Sequence, residues 1–135
     1  MNLKFSTLLL ATTVSLCSVV QAAPAPAAGM PDAATLKRIY DNSRSMSGLI
    51  SYCVDQGVLT NESQTNAAKM VDYVTNMPAT FDKSAGDAME KTGRQGMTQG
   101  SDGKLSNIKE TQQGLKGWCT SADQALRLGL KSMQP

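Results

Sequence analysis

From Asp32 onward, apolar residues recur every three or four positions, the period of helices that turn one face toward a core. Leu36, Ile39 and Tyr40 share one side of a short first helix that Asp32, placed after Pro31, is suited to cap. Met46, Leu49, Ile50, Cys53 and Val54 form the stripe of a second, predicted from about Ser45 to Gln56. Gly57 stands where a left-handed C-terminal residue belongs, with Val58 and Leu59 placed to fold back onto the helix. A third helix starts at Thr60 or Asn61, where Asn61 and Gln64 have capping-box spacing. Ala67, Met70, Val71, Val74 and Met77 make its apolar face, and Pro78 stops it.

The fourth segment, Phe81 to about Gln99, carries Phe81, Ala85, Ala88, Met89 and Thr92 at helical steps. It also holds Gly86, Gly93 and Gly96, each costing about 1 kcal/mol against alanine inside a helix. This predicts the least stable part of the fold, unless the glycines mark close contact between helices. Gly100-Ser101-Asp102-Gly103-Lys104 is a turn by composition. A last helix is expected from about Asn107 to Lys131, with Ile108, Leu115, Cys119, Ala122, Leu126 and Leu130 on one face and Trp118 beside it. There is no alternation of strand length and no internal repeat. The expectation is an all-α single domain over residues 32–135: a small bundle of four to five helices.

The N-terminal segment changes the picture of where this domain works. Residues 1–22 read as a secretory signal, with Lys4 as the positive start, an apolar stretch from Leu8 to Val20, and a small-residue cleavage site ending at Ala22. Cys17 leaves with the signal, and Leu16 before it departs from the small-residue pattern of a lipoprotein. The mature chain then keeps Cys53 and Cys119, an even pair in an exported protein, which reads as one disulfide stapling the second helix to the last. Residues 23–31 form a proline-spaced leader, extended because proline fixes φ and removes a donor. No second long apolar run follows, so no membrane span is expected in the mature chain. The expected location is periplasmic or secreted, and the brevity of the signal and its Ala/Pro-rich junction suit a bacterium.

Charge and chemistry then remove classes of function. The formal charge of +2 gives no electrostatic case for nucleic acid, which needs a basic face to displace counterions. The chain contains no histidine, which excludes Ser–His and Cys–His nucleophile systems and removes the commonest metal ligand. Asp82, Asp87 and Glu90 cluster as glycosidase carboxylates would, but Lys83–Asp87, Asp87–Lys91 and Glu90–Arg94 spacing describes a solvated helix face. The glycines around Gly103-Lys104 miss the phosphate-loop pattern: Thr98 stands at the position of its first glycine and Leu105 follows the lysine. Ser101-Asp102-Gly103 lacks the alternating oxygen ligands of a calcium loop.

Met46, Met70, Met77, Met89 and Met133 form none of the local clusters that concentrate thioethers for Cu(I), and are expected to pack inward. Asn61-Glu62-Ser63 is a glycosylation sequon, meaningful only in a eukaryotic secretory host. Tyr40, Tyr52, Tyr73 and Trp118 read as amphipathic boundary residues rather than a ligand stack. Two distant cysteines lack the Cys-x-x-Cys spacing of a redox pair. Neither a metal nor a cofactor is expected.

Gly48-Leu49-Ile50-Ser51-Tyr52-Cys53-Val54, the Asp102-Gly103-Lys104 turn, and the closing helix with Cys119 and Lys131-Ser132 together resemble the YjjA-like family of small exported bacterial proteins of uncharacterised role. The resemblance spans about residues 48–133 and departs from the family at Thr120, where an acidic residue would follow the second cysteine. It implies an envelope location and a disulfide, with no activity and no site residues. The functional expectation is a non-catalytic protein-binding or adaptor role toward another envelope protein. A stress chaperone of the holdase type and an inhibitor or immunity protein are the alternatives.

Overall fold

The computed structural model describes residues 29–133. The signal segment and the leader up to residue 28 lie outside the described residues. Four helices and one small hairpin follow in order: α1 (Ala33–Asp55), α2 (Asn61–Thr75), α3 (Gly86–Arg94), β1 (Met97–Gln99), β2 (Leu105–Asn107) and α4 (Gly114–Ser132).

The first correction is that the two leading helices are one. α1 runs unbroken for 23 residues, about 35 Å. The polar stretch Asp41–Ser45 separates the two apolar stripes in the sequence, yet the helix runs through it, with Asp41 and Ser43 bonded along α1 and Arg44 bonded to a neighbouring helix. Lys37 Nζ donates to Asp41, Ser43 Oγ donates to the Tyr40 carbonyl at 2.8 Å, and Arg44 reaches across to α3. Asp32 caps the start as expected, accepting from Thr35 N–H at 2.8 Å. Gly57, at φ +72°, closes the end: Val58 N–H bonds the Cys53 carbonyl and Gly57 N–H that of Val54, both at 2.9 Å, the paired bonds of a Schellman motif.

α2 begins after Thr60, and the expected box between Asn61 and Gln64 does not form. Gln64 instead donates to Ser51 Oγ on α1, a tertiary bond that its sequence position conceals. The fourth segment is shorter than the periodicity predicts. Only Gly86–Arg94 is helical, and Met97–Gln99 is extended and pairs antiparallel with Leu105–Asn107. The fold is therefore mostly helical with a two-stranded sheet, and all-α is corrected to that extent. Three-residue strands are too short for alternation to register, although the Asp-Gly turn between them is a hairpin signal. Gly103 supplies its positive φ of +78°, and Gly100 N–H closes it onto the Lys104 carbonyl at 2.8 Å. The last helix also starts later than expected: Ile108–Glu110 is a single 3₁₀ turn, and α4 begins at Gly114.

α1 is the axis of the bundle, with the other helices arranged around it. Two apolar clusters hold them. Leu49, Cys53, Ile108 and Cys119 form one, with Tyr52, Leu115 and Trp118 packed on it; Ile50, Ala67, Ala122 and Leu126 form the other, with Met46, Met70 and Leu130. The Cys53–Cys119 disulfide, with a Cα–Cα distance of 5.9 Å, lies in the first cluster and ties α1 to α4. No helix of the described residues is long and apolar enough to cross a membrane.

Candidate binding groove

The glycines of the fourth segment are contact points. A β-carbon at Gly86 would meet the Tyr40 ring, at Gly96 the Tyr52 ring at 2.7 Å, and at Gly93 the backbone of Ser45 and Leu49. Gly48 answers from α1, facing the backbone of Glu90 and Arg94. Taken in order, Gly86 by Tyr40, Gly93 by Gly48 and Gly96 by Tyr52 set α3 alongside α1 in the same direction. Of the two sequence-level alternatives for these residues, close contact is the one realised.

One flank of this α1–α3 pair is charged. Arg44 Nη2 lies 2.6 Å from Asp87 and 2.8 Å from Glu90, while its Nη1 donates to the Tyr40 hydroxyl at 3.1 Å. Arg94 pairs with Glu90 at 3.0 Å. Burial works against the Arg44 charge, but Glu90, Tyr40 and Asp87 outweigh it and hold the guanidinium above its ordinary value. Arg44 Nε is buried without a partner and adjoins a polar cleft of about 260 Å³ that Ser47, Ser51 and Gln64 also line. Asp82, the third candidate carboxylate, is held below the usual carboxylate range, chiefly by the Ser84 backbone N–H, with Lys37 contributing at 3.8 Å. The three candidate carboxylates are thus each engaged by a cation. The Lys83 ammonium goes elsewhere, to the Thr75 carbonyl at 2.8 Å and over the Phe81 ring.

The opposite flank is neutral and concave. Asn42, Ser45, Met46 and Leu49 of α1 form the floor of a groove of about 600 Å³. Ala88, Met89 and Thr92 of α3 make its wall. Met97 and Thr98 of β1 and Leu105 of β2 close one end. None of the residues lining it is charged. Leu105 stands at this end 56% exposed, one of the few large apolar side chains so open to solvent among the described residues. Within the range of 300–1,000 Å³ typical of ligand sites, mostly apolar walls with scattered amide and hydroxyl groups are the usual composition.

The groove draws together residues that the sequence distributes over sixty positions. Met46 and Met89 were expected to pack inward, and both do so only in part, lining this open furrow with Met97. The hairpin residues Met97, Thr98 and Leu105 carried no signal of a site; the Asp102-Gly103 turn was the one pointer to the strands that hold them. The candidate aromatic residues are separated. Tyr40 is buried against Phe81 at 5.7 Å, Tyr52 lies under Lys109, and Trp118 bridges the two clusters. Tyr73 stands 47% exposed beside a shallow cleft with Lys69 and Leu130. Cys53 and Cys119 are fully buried, away from any solvent-borne thiol. Among the described residues no cluster of three or more Cys, Asp or Glu is arranged to hold a metal ion.

Comparison of the chain with protein-family models, curated proteins and solved structures found no match.

Proposed function

We propose that this chain is a non-catalytic exported protein of the bacterial envelope that binds another protein through the neutral groove between α1, α3 and the hairpin. One observation carries the reading: three methionines and two leucines from four separate elements meet in a single uncharged furrow. Apolar surface left open in this way is stabilised when a partner removes it from water, at about 25 cal/mol per Å². Methionine suits the task because its unbranched thioether adapts to more than one partner shape. A place among the YjjA-like exported proteins belongs to the same proposal, and adds a location without adding chemistry.

The test is a photo-crosslinking residue placed at Leu105, with Lys116 on the exposed face of α4 as the control position. A discrete adduct from Leu105 and none from Lys116 is the expected result. Equal labelling from both positions, or none from either, overturns the groove as the binding surface.

A second reading, an acid-opened holdase, is favoured by the ion pairs of Asp87 and Glu90 with Arg44, which tie α3 to α1 through charge. Hydrophobic-dye binding between pH 7 and pH 2 decides it. A rise in dye binding with helicity retained supports opening; unchanged dye binding removes this reading.

A further inference from the structure

We infer that the occupant of the groove is a short, uncharged, apolar helix of about two turns, contributed by the partner protein; the inference rests on the groove being the binding surface. Shape argues for a helix. Asn42, Ser45, Met46 and Leu49 on α1 recur at three- and four-residue steps, as do Ala88, Met89 and Thr92 on α3. Two such ridges running side by side leave the furrow into which the ridge of a third helix packs. Length follows from the same residues. Asn42 to Leu49 spans about 10 Å of α1, two helical turns, and the hairpin ends the furrow at Met97 and Leu105.

Charge narrows the partner further. The Arg44–Asp87–Glu90–Arg94 network contributes nothing to the furrow, and no residue lining it is charged. A lysine or glutamate entering it would lose water and find no counter-ion, whereas an apolar anchor meets Met46, Leu49 and Met89. The anchors therefore sit at i, i+3 or i+4, and i+7 of a neutral segment.

The test uses the full chain with its disulfide formed and a fluorescein-labelled, end-capped peptide of about 14 residues, leucine at the anchor positions and alanine, serine and glutamine elsewhere. One companion peptide carries proline at its centre, another carries lysine at two anchors, and Nile red serves as a neutral small probe. Ala88→Arg, at an exposed wall position, blocks the furrow, and its circular dichroism checks that the fold is kept. The expected result is saturable binding of the parent peptide, weakened about ten-fold or more by the proline, by the lysines and by Ala88→Arg. Nile red binding that Ala88→Arg abolishes, with no preference among the peptides, overturns the helical occupant and leaves the groove as a site for other ligands. Peptide and dye signals that ignore Ala88→Arg overturn both the helix and the groove.

Discussion

Gly48 on α1 and Gly93 on α3 meet where the two helices touch, and the space that a β-carbon on either would need is filled by the backbone of the other helix. A methyl at Gly93 would sit against Leu49 N at 2.8 Å and the Ser45 carbonyl, and one at Gly48 against Arg94 N at 2.9 Å and the Glu90 carbonyl. Main chain cannot swing aside as a side chain can, so the absence of side chains sets how closely α3 approaches. That approach in turn places Met89 and Thr92 on the groove.

Gly93→Ala is accordingly expected to destabilise the fold by about 2 kcal/mol, because overpacking against backbone outweighs the gain of about 1 kcal/mol in helix propensity. Gly129→Ala is the matched control. Its added carbon meets only the terminal methyl of Met70, at 3.0 Å, which can rotate away, so its midpoint is expected to hold or rise. Thermal unfolding followed by circular dichroism compares the two; equal effects would place the close approach of α3 in doubt.

The disulfide is expected to resist reductant while the protein is folded, since both sulfurs are fully buried. Once broken, it costs about 4 kcal/mol, the chain-entropy value for a loop of this length. The rate of thiol alkylation in dithiothreitol, with and without urea, measures the first; the urea midpoint of the Cys53→Ala, Cys119→Ala double variant measures the second. Rapid reduction in native buffer would count against a structural bridge.

Replacing Arg44 by methionine keeps much of its packing but leaves Glu90 half-buried without its closest partner. A loss of about 1.5–3 kcal/mol is expected, the range for a hydrogen bond to a charged group. A double-mutant cycle with Glu90→Gln separates the pair from the change in shape. A coupling indistinguishable from zero would reassign Arg44 to packing alone.

Acid sensitivity has a defined sign. Asp32, which accepts from Thr35 N–H, and Asp82, which accepts from Ser84 N–H, both sit below their ordinary value of 3.8 when folded. Stability from these bonds is therefore present above about pH 4 and is lost as pH falls through the lowered values. The urea midpoint should drop between pH 4 and pH 2, and drop less in the Asp32→Ala, Asp82→Ala variant. An identical acid response in that variant would remove these two carboxylates from the account.

The helices were legible because their apolar spacing is local. Leu49, Ile50 and Cys53 recur at helical steps whatever they touch, and Gly57 ends α1 through hydrogen bonds within its own last turn. The continuity of α1 was hidden, since the polar run Asp41–Ser45 carries no apolar residue to link the stripe of Leu36 and Tyr40 to that of Met46 and Leu49. The hairpin was hidden as well: its three-residue strands gain their order from pairing across the turn and from Ile108 N–H bonding the Gly96 carbonyl at 2.9 Å.

The sequence alone, then, established that most of the chain is helical and which residues share an inward face, though not every helix boundary, and it supplied one pair of cysteines placed to join two of those faces. Periodicity, capping and proline act over a few residues, so they are readable in order along the chain. Only the tertiary structure decided that the glycines of the fourth segment seat a helix rather than loosen one, because a glycine's meaning depends on what stands within a methyl's reach of it. Only the tertiary structure brought Met46, Met89, Met97 and Leu105 to one neutral furrow, because a groove is a relation among elements and leaves no mark within any one of them.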